Sequence, residues 1–381
     1  MSVATLPVTV TSHPTLTIDL DAVKENVRTI RRRTTGEVMA VVKSDGFGHG
    51  MVDVARAALA GGATRLGVTS IEEALALRAA GLAQPVLSWL NPVDADFGRA
   101  VTAGIELAVP GLAHLRAVAD RACGARVHLQ LDTGMARDGA PPEEWAALCR
   151  AARYAERDWS IRVVGVMGHL ACAASVAHPA NERGRARFAW GVRVAWAAGL
   201  RPPDRHLAAT AATLSDARNH HTMSRIGAGL VGIDESNTVR LRPALRLAAP
   251  LVAVRRVPAG TPVGYGHTWT APHATRLGLI PVGYADGLPY TASGRAEVQV
   301  AGVRRPVAGR ISMDMTVIDL GPDIAACPAR IGDVATVFGP GEDGEPTTAE
   351  WARWGGTLEH EVVTGLGPRL RRVVTSAEES S

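Results

Sequence analysis

Of the 41 lysine and arginine residues only two, Lys24 and Lys43, are lysines, so chemistry that needs a primary amine has two candidates. Lys24 lies in an amphipathic stretch beside Glu25 and Arg28, the setting of a solvated surface charge. Lys43 ends the apolar run Val38-Met39-Ala40-Val41-Val42 and precedes the glycine-rich Ser44-Asp45-Gly46-Phe47-Gly48-His49-Gly50. An amine partly removed from water at a strand end sheds its proton more readily, and a neutral amine condenses with an aldehyde. The same position also suits a lysine whose stem lies on apolar surface while its head reaches water. By position alone Lys43 reads both ways.

The elements that would hold this amine follow from the hydrophobic pattern. Between residues 36 and 232, short β-branched or apolar runs alternate with Ala-rich stretches of helical period, the pattern of repeated βα units. The predicted strands are Glu37–Val42, Arg65–Thr69, Pro85–Leu90, Ile105–Val109, Arg126–Leu131, Val163–Gly168, Arg205–Ala209 and Arg225–Gly229. Eight such units predict an α/β chain whose first domain, residues 15–240, is a (β/α)8 TIM-type barrel. Ile71–Ala80 and Glu143–Ala155 carry apolar residues at i, i+3 and i+4, as barrel-covering helices do. From residue 241 to 381 the texture changes to strands split by Gly and Pro, such as Thr275–Pro281, Ala296–Val300, Met315–Leu320 and Asp333–Phe338, predicting a C-terminal β-strand domain. Leu16–Leu20 alternates like a strand, so residues 1–20 are expected to add a strand to that second domain; Asp19 or Asp21 would cap the helix after it.

Bulk properties exclude several classes. The net charge is +4, but the basic residues are interleaved with 37 acids, which argues against a nucleic-acid partner. No stretch reaches the ~18 apolar residues of a membrane span, and residues 1–14 lack a signal-peptide pattern; the expected location is the cytoplasm. Cys123, Cys149, Cys172 and Cys327 form no C-x-x-C pair, and His220 and His221 are adjacent rather than four apart, so no metal site is expected.

Ala40–Gly50, A-V-V-K-S-D-G-F-G-H-G, resembles the pyridoxal 5′-phosphate lysine motif of the alanine racemase family. The resemblance continues in L-D-T-G-M at Leu131–Met135, the G-x-M-x-H segment ending at His169, R-x-G at Arg225–Gly227, G-Y-G-H-T-W at Gly264–Trp269, G-Y-A-D-G at Gly283–Gly287 and G-R-I-S-M-D at Gly309–Asp314. It implies a barrel that carries the cofactor, a β domain after it, and a homodimer whose subunits share active sites. By resemblance Lys43 holds the cofactor and serves as one base, and Tyr265, from the other subunit, is the second, with His169 and Arg225 as its positive neighbours. Arg225 would face the cofactor ring nitrogen. Thr210, Gly227 and Ala228 would hold the phosphate with His360 nearby, and Arg137, Met313 and Tyr284 would bind a small amino-acid substrate.

Several positions depart from the family pattern. Phe47 and His360 stand where tyrosines are usual, Ala209 at an asparagine, Gln130 at a lysine, Val231 at a tyrosine, Ala174 at an aspartate and Tyr290 at an arginine. Gln130 is still able to accept a hydrogen bond from Arg137. The retained bases predict an amino-acid racemase, for alanine or another small amino acid; the departures predict that alanine is not its best substrate. The alternatives are a pyridoxal-phosphate lyase, decarboxylase or aldolase, on the same scaffold, or a non-catalytic carrier of the cofactor.

Overall fold

The computed structural model describes residues 12–376. The chain divides into two compact units, one of Ala22–Arg242 and one joining the residues up to Asp21 to those from Pro243 onward. The first strand, β1 (Thr15–Asp19), belongs to the second of these.

In the unit Ala22–Arg242 eight strands form one parallel sheet: β2 (Glu37–Val41), β3 (Arg65–Val68), β4 (Val86–Ser88), β5 (Ile105–Val109), β6 (Ala125–Gln130), β7 (Ile161–Met167), β8 (Asp204–His206) and β9 (Met223–Ile226). β2 pairs with both β3 and β9, and the backbone bonds Thr222 N–H to Arg205 O (3.1 Å) and Arg225 N–H to Ala208 O (3.0 Å) join β9 to β8 and close the ring. Met39, Leu87, Ala108, Met167 and Met223, from five strands, touch one another with Trp89 against them, as inward-pointing side chains of a closed barrel do. Burying such side chains contributes roughly 1.5–3 kcal/mol each. The covering helices include Ile71–Ala79 and Pro142–Arg157, whose Ala74 and Leu77, and Trp145, Leu148 and Ala152, turn inward at helical spacing.

The last barrel strand runs two to three residues earlier than the pattern predicts, Met223–Ile226 rather than Arg225–Gly229. Thr222 begins the pairing, its hydroxyl accepting from Arg205 N–H at 2.7 Å, and Gly227 turns the chain into the short coil Ala228–Val231. Arg225 therefore sits inside the strand, with Gly227 just past its end.

The second unit holds β10 (Leu245–Pro250), β11 (Ala253–Val257), β12 (Pro262–Val263), β13 (Trp269–Thr270), β14 (Thr275–Ile280), β15 (Glu297–Val300), β16 (Val303–Pro306), β17 (Thr316–Asp319), β18 (Val334–Phe338) and β19 (Arg371–Thr375). A six-stranded sheet runs β16-β15-β18-β10-β1-β19 and a three-stranded one β11-β14-β17. β1 pairs antiparallel with β10 and parallel with β19, and Asp19 accepts from Asp21 N–H at 2.9 Å to start the helix Leu20–Arg31. Among the described residues no helix is long and apolar enough to cross a membrane.

Candidate active site

Lys43, two residues past β2, opens a turn in which Ser44, Asp45, Gly46 and Phe47 all have φ of 54–62° and ψ of 40–51°. This is one turn of left-handed helix. Gly46 adopts it freely, whereas at Ser44, Asp45 and Phe47 it costs roughly 1–2 kcal/mol per residue. Neighbours hold it. Glu73, from the helix Ile71–Ala79, accepts from Ser44 N–H at 2.8 Å with one oxygen and from Thr69 N–H and Oγ1–H at 2.9 and 2.8 Å with the other. Asp45 accepts from Met51 N–H at 2.9 Å, starting the helix Met51–Ala60. The Lys43 Nζ lies 5.4 Å from the centroid of the Phe47 ring, and a Cβ on Gly227 would meet that ring at 2.6 Å. The lysine end of β2 and the Gly227 end of β9 are thus in contact through Phe47.

Burial would raise the Glu73 carboxyl, but the amides of Ser44 and Thr69 and the Thr69 hydroxyl outweigh it and hold the group below the usual carboxylate range. Glu73→Gln should lower stability at neutral pH by about 1–3 kcal/mol, the scale of hydrogen bonds to a charged group. A depressed carboxyl contributes stability above the ordinary carboxylate pKa and loses it as pH falls through the folded value, so the difference in urea midpoint should close in acid. A difference that persists unchanged in acid would show that shape, not charge, holds the turn.

Arg225 is 6% exposed. Its Nη1 donates to the carbonyl and Nδ1 of His206, both at 2.9 Å; its Nη2 donates to Gly168 O at 2.7 Å, His169 Nδ1 at 3.2 Å and Leu207 O at 3.4 Å. Among the described residues no carboxylate pairs with it and none accepts from its Nε. An arginine only donates, so both histidines accept through Nδ1, carry their proton on Nε2 and are neutral. Burial, then the charges of Arg225 and Arg137, lowers His169 to about 3; burial and Arg225 drive His206 well below the usual histidine range. Burial and the Arg137 charge bring Arg225 down to about 10, still a cation at neutrality.

The Thr210 Oγ1 accepts from the amides of Gly227 and Gly229 at 3.3 and 3.1 Å, which leaves its O–H to donate. The Ala228 N–H, first in its turn, has no acceptor among the described residues, and a Cβ on Gly229 would meet Thr210 Cγ2 at 2.8 Å. The Thr210 O–H and the Ala228 N–H, with Gly227 packed between them, are therefore donors suited to an oxyanion.

Arg137 is exposed on a loop shaped by Asp132, whose Oδ1 accepts from the amides of Gly134, Met135 and Ala136 at 2.8, 2.9 and 3.2 Å. A cavity of about 20 Å³ lies among Gln130, Asp132, Thr133, Arg137, Asp138 and His169. Gln130 gives its amide to Asp138 at 3.1 Å, and its buried Oε1 has no partner among the described residues. The expected bond from Arg137 to Gln130 is not formed, because Asp138 has already turned the amide.

Lys43, Arg137, His169, Thr210, Arg225, Gly227 and Ala228 all belong to the barrel unit; Tyr265, Tyr284, Met313 and His360 belong to the strand-rich unit. Within the latter, Tyr265 lies on the turn Tyr265–His267, and a Cβ on its neighbour Gly266 would touch the Arg310 guanidinium at 3.4 Å. Tyr284 N–H donates to Ser312 O and Ala285 N–H to Met313 O, both at 3.0 Å, which binds G-Y-A-D-G to S-M-D. Tyr265 is 72% exposed, Met313 53%, Tyr290 47% and Tyr284 42%. His360 lies on the short helix Glu359–Thr364.

The patterns described as "Alanine racemase, N-terminal domain" and "Alanine racemase, C-terminal domain" match residues 18–235 and 244–374. The chain belongs to the alanine racemase family. It is 46% identical over 356 residues to the alanine racemase of Salinispora tropica, covering 92% of this chain and 95% of that one. The crystal structure of the alanine racemase from D-cycloserine-producing Streptomyces lavendulae is 40% identical with a TM-score of 0.92, over 97% of this chain and 99% of that one. That of the Bacillus anthracis alanine racemase with bound L-Ala-P is 28% identical with a TM-score of 0.86, over 98% and 97%. The protein is accordingly a racemase, an isomerase, and neither the lyase nor the non-catalytic alternative finds support.

For an alanine racemase-family chain its departures have simple settings. Phe47 keeps an aromatic ring beside Lys43 without the hydroxyl; Ala209 meets Thr213 only through its carbonyl; Tyr290 packs edge-on against Tyr284 at 6.0 Å between centroids; Val231 is buried and Ala174 exposed. Outside the family motifs, the buried polar residues Glu106 and His128 share the barrel interior with His206. Their signal in the sequence is a polar residue between apolar neighbours, in I-E-L-A-V and V-H-L.

Proposed function

We propose that this racemase interconverts L- and D-alanine with pyridoxal 5′-phosphate as cofactor, in a homodimer whose subunits share active sites. The observation that carries the reading is the buried Arg225, with no carboxylate partner among the described residues and an open Nε, between the neutral His169 and the Thr210 and Ala228 donors, with the Lys43 amine at the neighbouring strand end. These residues fit the cofactor: an amine for its aldehyde, a donor for its ring nitrogen and the Ala228 amide with the Thr210 hydroxyl for its phosphate. When bound, pyridoxal 5′-phosphate supplies the aldehyde that captures the substrate nitrogen and a ring that takes up the electron pair left as the α-proton departs.

The protein's own residues do the rest. Lys43 holds the cofactor and, once released, takes or returns the α-proton on one face; Tyr265 of the partner subunit serves the other. A tyrosine whose ordinary pKa is ~10 acts as a base near neutrality only beside positive charge, which Arg225 and Arg137 supply while His169 stays uncharged. Arg225, which holds its proton, would offer the ring nitrogen an N–H without giving up the proton, and this would favour return of the α-proton over side reactions. Arg137, with Met313 and Tyr284, binds the substrate carboxylate as an arginine fork does; His360 lines the phosphate end. The high identity to alanine racemases supports alanine itself as substrate over the altered side chain that the departures suggest.

Borohydride trapping and peptide mapping should find the reduced cofactor on Lys43, and α-proton exchange in deuterated water across a panel of amino acids should be fastest with alanine. Label on Lys24, or faster exchange with another amino acid, would overturn the corresponding part of the reading.

A further inference from the structure

Behind Arg225, His206 Nε2 lies 2.9 Å from His128 Nδ1, and His128 Nε2 lies 2.9 Å from Glu106 Oε2. All three residues are at most 2% exposed. The direction of every bond is forced. Arg225 only donates, so His206 Nδ1 accepts and its proton is on Nε2; His128 Nδ1 must then accept, so its proton is also on Nε2 and goes to Glu106. The result is a one-way chain of donors from a guanidinium through two neutral imidazoles to a carboxylate. Burial would raise the Glu106 carboxyl, but the His128 bond and Arg126, at 2.9 and 2.7 Å, hold it well below the usual carboxylate range. Arg65 completes the surround, 3.4 Å from Glu106 and 3.2 Å from Asp204.

The barrel is altered to admit this chain. The register of β6 on β7 shifts between Val127 and His128, a bulge of the kind that re-aims a side chain. Opposite it, a Cβ on Gly165 would come within 1.9 Å of His128 Nδ1, so only glycine leaves room for the imidazole. Stability alone gives little reason for this, since well-packed apolar residues in place of buried charges are often as stable or more so.

We propose that Glu106 and His128 are positioning residues for racemisation: through His206 they fix the tautomer and orientation against which Arg225 is held, and hence the donor it presents to the cofactor. This rests on the reading that Arg225 faces pyridoxal 5′-phosphate. The test combines side-chain nitrogen NMR of histidine-labelled protein, without cofactor, with the visible absorption and kcat of protein loaded with pyridoxal 5′-phosphate.

In the wild type His206 and His128 should each show a single Nε2–H tautomer. In His128→Leu the His206 signals should become a tautomer mixture, the cofactor absorption should shift, and kcat should fall roughly ten- to a hundredfold with KM for alanine little changed, the scale on which outer-shell partners act. His128→Gln, whose planar amide offers an acceptor and a donor in the same order, should restore the His206 tautomer and most of kcat. Should His128→Leu not fold, Glu106→Gln, which keeps the shape and removes the charge, should still shift the absorption and lower kcat. A folded His128→Leu or Glu106→Gln protein with unchanged spectra and kcat would overturn the proposal, as would a His128→Gln protein that regains stability but neither the tautomer nor kcat. Wild-type protein that takes up no pyridoxal 5′-phosphate, while His206 responds to His128→Leu as expected, would instead overturn the cofactor reading alone.

Discussion

Refolded together in equal amounts, Lys43→Ala and Tyr265→Ala chains, each inactive alone, should recover about a quarter of wild-type activity. The fraction follows from symmetry: random pairing makes half the dimers hybrids, and a hybrid has one site with both bases and one with neither. The motive is the exposure of Tyr265, far more than a tyrosine with a purely internal role would show, on a turn whose Gly266 lies against Arg310. In the proposed dimer the barrel unit of the other subunit supplies Arg225 and Arg137, the cations that would favour the Tyr265 phenolate. Activity that returns in proportion to chain concentration would add that assembly creates the site. No recovery from mixtures in which hybrids are demonstrated by mass would mean that each site is built from one chain.

Arg225→Lys should be the most damaging single change among the residues that carry no covalent role. The guanidinium serves five acceptors, His206 O and Nδ1, Gly168 O, His169 Nδ1 and Leu207 O, and an ammonium has three protons. At least two of these bonds are then lost, at about 0.5–1.5 kcal/mol each and about 1–3 kcal/mol where the buried acceptor has no other donor. The variant should unfold at markedly lower urea, and its remaining activity should fall by at least the factor of ten that about 1.4 kcal/mol of transition-state stabilisation represents. An equally stable and active lysine variant would show that the charge of Arg225 matters and its fork does not.

The barrel was legible because each strand buried on both sides leaves a near-continuous apolar run, and eight of these alternate with helical periods. Strand ends were less so: at β9 the polar Thr222 takes part in pairing, and a pattern built on apolar residues starts too late. Lys43 could be singled out because lysine is so rare here, yet its chemistry needed the surrounding motif. The left-handed turn after it was hidden, since Ser44, Asp45 and Phe47 have no local reason to take positive φ; contacts to Glu73 and the Met51–Ala60 helix impose it. Glu106 and His128 leave in the sequence only a polar residue within an apolar run, because what distinguishes them is the partner each finds across the barrel.

Viewed in a mirror, residues 44–47 would be an ordinary right-handed helical turn. The amine of a racemase is thus mounted on a segment whose backbone has the handedness natural to D residues, built from L residues at a cost its neighbours cover. That limits what the chain can become. At Ser44, Asp45 and Phe47 the steric demand falls on Cβ, so glycine or asparagine would relieve the backbone strain while valine, isoleucine or threonine would add to it. Exchange between phenylalanine and tyrosine at position 47 leaves Cβ untouched, so that position is free to gain or lose a hydroxyl beside Lys43 without disturbing the turn that carries the lysine.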